Sequence, residues 1–221
     1  MLLLSLSEET KWGFGVPIQV LRNAGYHTCY CYLTMQPRYV LQELSADELE
    51  VGVDRQDVFR EDDRIPPQFR QTAEHYRGSG YDRGHLAPSA DQRTVVENSA
   101  SFLLSNMCPQ RVEFNRGVWK HAETDVRQMV RSSLQVWCCS GPAWLTEKPI
   151  QALQAVGKRS LPIPHAFWKS VLTESRSGLI SAEHWWFDHE TDSREQISLN
   201  ELERRAGLQL WTQVQSRERI Q

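Results

Sequence analysis

Apolar and polar residues alternate with a period of two in several short stretches and recur every three to four positions in others, which predicts a mixture of strands and helices. Residues 26–34 (YHTCYCYLT) are rich in aromatics and Thr and read as a strand, with 37–43 (PRYVLQE) as its hairpin partner. Residues 1–25 read as an irregular lead-in broken by Gly13, Gly15, Pro17 and Gly25. Residues 44–80 are polar and carry Pro66, Pro67, Gly78 and Gly80; a loop that long inside a compact domain is usually functional. Residues 92–101 read as a helix and 102–107 (FLLSNM) as a buried strand. From Asn115 to about Ser132, an apolar stripe of Val118, Ala122, Val126, Met129 and Val130 predicts a helix. Residues 134–140 read as a strand ending at Gly141 and Pro142, and 165–174 and 179–187 as two more with a turn at 175–178. Ser198 with Glu201 three residues later has the form of a capping box, Leu199, Leu202 and Ala206 supply an apolar face, and Gly207 stands where the helix should stop. There is no regular βαβ alternation, so the fold class is α+β.

Composition narrows this picture. A length of 221 residues suits one domain or two tightly joined lobes, with 40% apolar and 24% charged residues as in an ordinary globular chain. No apolar run approaches the roughly 20 residues of a membrane-spanning helix. The start (MLLLSLSEE) lacks a basic region, and its apolar stretch is shorter than that of a signal peptide. Nothing in the sequence assigns a compartment: secreted, organellar and cytoplasmic settings are all open. The net charge of −3 requires any nucleic-acid site to gather positive charge locally. Cys29, Cys31, Cys108, Cys138 and Cys139 lack zinc-finger spacing and read as reduced structural thiols.

The chemistry concentrates in three segments: Tyr81-Asp82-Arg83-Gly84-His85, then Ser105-Asn106-Met107-Cys108-Pro109-Gln110, then Asn115 through Glu123 to Arg127. Phosphodiester hydrolysis needs a base for the attacking water, a cation at the phosphate and leaving oxygen, and further positive groups to hold the phosphate. His85 suits the base, because an unperturbed imidazole titrates at about pH 6.5. Arg83 can donate a fork to phosphate oxygens, and Asn115 offers the hard amide oxygen that a sparsely liganded magnesium ion accepts. On a continuous helix, Asn115, Trp119, Glu123 and Arg127 would share one slowly rotating face. Arg127 would then pair with Glu123 or reach for phosphate. Trp119 reads more readily as core than as a stacking platform. His184, Asp188 and His189 suggest a metal cluster, but their strand-like context favours structural roles, as does the setting of His165 between Pro164 and Ala166. His75 and His121 receive no role.

These segments resemble the DNA/RNA non-specific endonucleases, the ββα-metal (His-Me finger) nucleases. The Asp-Arg-Gly-His motif, the Ser-Asn-x-x-Pro-Gln segment and the Asn-to-Glu helix occur here in that order. The likeness is strong over 54–142, extends over 12–214, and is greatest for the cyanobacterial branch. It implies a single nuclease domain over 1–221 with its metal motif near 78–131, and a central mixed or antiparallel sheet flanked by helices. It implies His85 as general base, Asn115 as direct metal ligand, Glu123 as a ligand through water, Arg83, Arg127 and Arg55 as phosphate contacts, and Asp82 in a supporting role. Arg60 is the other candidate for the position given to Arg55. The implied cofactor is Mg2+, with Mn2+ able to substitute, and the implied products carry 5′-phosphates. The implied partners are DNA and RNA substrates, an inhibitor or immunity protein, and a second copy in a homodimer. Two other readings stay open: a catalytically silent nucleic-acid-binding module on the same fold, and the same nuclease acting as a toxin. Arg116, His121 and the compact Arg111-Val112-Glu113-Phe114 segment depart from the family pattern, which leaves substrate preference open.

Overall fold

The computed structural model describes residues 18–46, 57–145, 147–153 and 159–212. Its frame is a seven-stranded sheet in which every neighbouring pair is antiparallel. The order is β1 (Ile18–Asn23), β2 (Tyr26–Cys31), β3 (Gln36–Leu44), β6 (Gln135–Ala143), β9 (Ala166–Glu174), β10 (Ile180–Asp188) and β11 (Arg194–Gln196). Two small hairpins stand apart: β4 (Tyr81–His85) with β5 (Met107–Arg111), and β7 (Ala152–Leu153) with β8 (Leu161–Pro162). The longer helices among the described residues are α1 (Val95–Ser101), α2 (Lys120–Ser132) and α3 (Leu199–Ala206).

Side-chain alternation along β9 separates the two faces of the sheet. Phe167 and Val171 join Val126, Val130 and Trp119 under α2, while Trp168 and Leu172 join Leu202, Leu210 and Trp211 under α3. A third apolar cluster includes Tyr30, Met35, Ile65, Tyr76, Leu104 and Met107, and it anchors the long 57–81 segment to the β1–β3 end of the sheet. Because that segment is tied down by burial, the loop can present chemistry from a fixed position.

Five expectations need correction. Ile18–Asn23 is a strand, not lead-in: it pairs with β2 over its whole length, closing at Asn23 and Tyr26 around a turn. The 102–107 stretch is not a continuous strand: Leu103 makes an isolated parallel bridge to Arg60, Leu104–Asn106 forms a tight turn whose Asn106 side chain binds neighbouring backbone, and the β5 ladder starts at Met107. β6 continues through Gly141 and Pro142, because its ladder with β3 ends at Ser140 and Pro142 faces only β9. The predicted helix over 115–132 is regular only from Lys120; Asn115–Trp119 is a widened turn with Gly117 at φ −103° and ψ −109°. The box at α3 is half made: Ser198 accepts from Glu201 N, but the Glu201 carboxylate accepts from Arg204 and Arg205 instead.

Candidate active site

The first two motif segments form one hairpin. Asp82 lies opposite Gln110, Arg83 opposite Pro109, Gly84 opposite Cys108 and His85 opposite Met107. Gly84 is required by close approach, since a Cβ there would sit 2.1 Å from Gln110 Oε1. The other edge of β4 has no strand partner among the described residues, and Tyr81, Asp82 and Arg83 of this strand line a cleft. Asn106 pins the chain just beyond His85: its Nδ2 donates to the Ala87 and Ser101 carbonyls at 2.9 Å each, and its Oδ1 accepts from Ala87 N at 3.0 Å. Ser105 donates to buried Asp62 at 2.6 Å, and Arg64 pairs with the same carboxylate.

His85 and Arg83 share a platform. The imidazole meets Phe102 edge-on at 5.1 Å and lies 5.7 Å from Phe59, and the Arg83 guanidinium stacks 4.0 Å above the Phe59 ring. Phe59 therefore limits the motion of both groups. Only its aromatic character within the polar 44–80 stretch hinted at this role.

Across β4, Asp82 accepts from Asn115 Nδ2 at 3.0 Å and from Arg116 Nε and Nη2 at 3.0 and 3.1 Å. Partial burial raises the Asp82 carboxyl, but these hydrogen bonds, Arg116 foremost, outweigh it and hold it below the usual carboxylate range. Because the Asn115 amide nitrogen is directed at Asp82, Oδ1 is the amide atom left to meet a cation. At the other end of β4, Trp119 Nε1 donates to the His85 carbonyl at 3.0 Å. Trp119 is fully buried, as expected of a core residue, and this bond gives it a second role as a tie. The widened turn thus grips β4 at both ends, at Asp82 and at the His85 carbonyl.

Beneath the turn lies a group of buried charges. Asp91 pairs with Arg127 Nη1 at 2.9 Å, and Lys169 sits 3.9 Å from the centre of the Trp119 ring and donates to Ser140 Oγ at 3.0 Å. Burial pushes the Glu123 carboxyl up to about 7, against the pull of the Lys169 cation. A carboxylate raised by burial is one that a nearby divalent ion would stabilise in its charged form. The Asn115 oxygen and Glu123 are hard oxygen donors of the kind that a hydrated divalent ion accepts.

The placement of the predicted residues is uneven. His85, Arg83 and Asp82 lie on β4, and Asn115 is brought to the same strand by its bond to Asp82. Glu123 is half-buried beneath it. Arg127 does not pair with Glu123: it is engaged by Asp91 and also donates to Thr124. A buried carboxylate offers the guanidinium a better partner than the neighbouring turn does. Arg55 lies outside the described residues. Sequence reasoning missed Asp91 and Lys169, and a Lys within the otherwise apolar β9 was the available signal. His184 hydrogen-bonds Ser170 through Nδ1, while both ring nitrogens of His189 are engaged, Nε2 by Arg111 N and Nδ1 by the Pro164 carbonyl. All five cysteines are free thiols.

A hairpin carrying His85, followed by a helix entry carrying Asn115, is the arrangement of the ββα-metal nuclease fold. The family model for DNA/RNA non-specific endonucleases matches residues 7–217, and the chain belongs to that family. Mitochondrial endonuclease G of Homo sapiens is 34% identical over 180 residues, covering 78% of this chain and 61% of that protein. The mitochondrial nuclease of Saccharomyces cerevisiae is 33% identical over 227 residues, covering 92% of this chain and 69% of that one. A Nostoc nuclease is 38% identical over 129 residues, covering 58% of this chain and 44% of its own length. The crystal structure of the EndoG/EndoGI complex, solved for the mechanism of EndoG inhibition, contains a chain that superposes with a TM-score of 0.79 at 26% identity, covering 95% of this chain and 93% of that one. The chain thus spans about three fifths of human endonuclease G. Nucleases of the family are generally metal-dependent.

Proposed function

We propose that this chain is an endonuclease that hydrolyses phosphodiester bonds of DNA and RNA with little sequence preference, leaving 5′-phosphates. The double grip on β4 carries the reading: Asn115 is tied to Asp82 and Trp119 to the His85 carbonyl, so base and amide ligand are set along one strand. Asn115 would hold the divalent ion directly, with Glu123 acting through water. Magnesium suits this oxygen-only set, and manganese can replace it. When bound, the ion would supply positive charge to the phosphate and to the departing 3′-oxygen. His85 takes the proton from the attacking water. Asp82, itself held by Arg116, takes the Asn115 amide nitrogen and leaves the amide oxygen as the atom that would hold the ion. Arg83, steadied on Phe59, donates to phosphate oxygens. Contacts to phosphate and sugar carry no base information, which accounts for weak sequence preference.

Similarity to a chain solved in an inhibited complex supports a protein inhibitor as a partner of this chain. The decisive assay offers supercoiled plasmid, single-stranded DNA and RNA with magnesium, manganese or EDTA. Cleavage should require the metal, and His85→Ala and Asn115→Ala should each lower the rate at least about 100-fold while the fold is retained. His85→Ala protein that cuts at the wild-type rate would remove the proposed base. Retention of labelled DNA in EDTA, with no cleavage at any metal concentration, would favour the silent binding module.

A further inference from the structure

A cleft of about 350 Å3 opens beside the motif and is lined by Ala73, Tyr76, Arg77, Tyr81, Asp82 and Arg83. It shares Asp82 and Arg83 with the site but extends away from His85, toward the start of β4. Residues two apart on a strand are separated by about 7 Å, so the cleft lies a step beyond the reacting phosphate. Its charge is positive in effect. Arg77 and Arg83 are set against the one carboxylate of Asp82, which is already answered by Arg116 and Asn115.

Arg77 is available to a ligand. Its side chain is 77% exposed, and its ion pair with Glu74 is long, at 3.5 Å, and faces solvent. Such a pair stabilises by less than about 1 kcal/mol. The cleft wall is fixed, because buried Tyr76 donates its hydroxyl to Gln71 at 2.7 Å. The approach is open, since a Cβ at Gly78 or Gly80 would meet nothing within 4 Å.

We propose that this cleft is a subsite for the phosphate of a neighbouring nucleotide in the cleaved strand, with Arg77 as the cation that binds it and Tyr81 flanking the sugar. The subsite rests on the nuclease reading and sets the direction in which the strand lies across His85. Arg77 acts on binding, not on the chemical step. Each phosphate contact contributes about one unit to the slope of log affinity against log salt.

The test compares wild type, Arg77→Ala, Arg77→Lys and Glu74→Gln on oligonucleotides of increasing length. Arg77→Ala should raise KM about tenfold, reduce the salt slope by about one and leave kcat and Tm unchanged. Arg77→Lys should recover much of the loss. Glu74→Gln, which releases Arg77 from its pair, should lower KM. The Arg77→Ala defect should vanish on substrates too short to place a second phosphate in the cleft. An unchanged KM and salt slope in Arg77→Ala, or a defect in kcat alone, would overturn the subsite. Anisotropy of a fluorescent oligonucleotide on His85→Ala protein, with and without Arg77→Ala, reads the subsite independently of cleavage. A failure of the nuclease reading would therefore be seen separately.

Discussion

The two faces of the large sheet bury similar aromatic material but treat charge differently. The α3 face packs Trp168, Trp186, Trp211, Leu172 and Leu202 into a largely apolar layer, and its ion pairs, Arg205 with Glu195 and Glu201, stay at the rim. The α2 face is as aromatic, with Trp119, Phe114, Phe167 and Phe187, yet it encloses Asp91 and Lys169 and half-buries Glu123. Buried charge costs stability unless it is paired, so the face beneath the cleft accepts a burden that the other face avoids. The difference teaches where this fold keeps its strain: under the helix entry that carries Asn115.

The sharpest way to break this comparison is Lys169→Met. It removes the buried cation that opposes the upward shift of Glu123. Its loss should cost about 4 kcal/mol at pH 8, the scale for breaking a buried charge arrangement. The pH dependence has a defined sign. Glu123 binds its proton more tightly in the folded chain, with a value near 7 against 4.5 unperturbed. The stability it lends is therefore complete below about pH 4.5 and is lost as pH rises through 7. In EDTA, wild-type Tm should fall between pH 5 and pH 8, and Lys169→Met should fall more steeply. Equal losses at both pH values would show that the lysine is only a packing group.

Leu202→Ala probes the opposite face. Leu202 is fully buried in the apolar layer, so the cavity should cost about 3 kcal/mol. Urea melts should show that loss at pH 5 and pH 8 alike, with kcat on plasmid unchanged. A change in kcat would mean that the faces are coupled. The smallest effect belongs to Ser198→Ala. Removing the hydroxyl that accepts from Glu201 N should lower stability by about 1 kcal/mol and leave cleavage untouched.

Much of the site was legible in the chain. The Asp82 to His85 segment, the Ser105 to Gln110 segment and the Asn115 to Glu123 spacing are compact strings whose residue types match phosphodiester chemistry. The hairpin of β2 and β3, the β9 and β10 pair and the cap of α3 follow from local periodicity and turn chemistry. The errors have a common cause. Arg127 looked free for Glu123 because Asp91, its actual partner, is remote in sequence and close only after folding. Ile18–Asn23 looked irregular because a short strand is recognised by its partner more than by its own residues.

The sequence alone determined the chemical inventory, the order of the motif segments and most strand and helix positions, because these depend on residue type and short-range spacing. Tertiary structure alone decided that Gly117 interrupts the helix, that the turn ties Asn115 to Asp82 and Trp119 to His85, and that Lys169 lies under Trp119. Those contacts join residues far apart in the chain, and their geometry exists only once the sheet and α2 have packed.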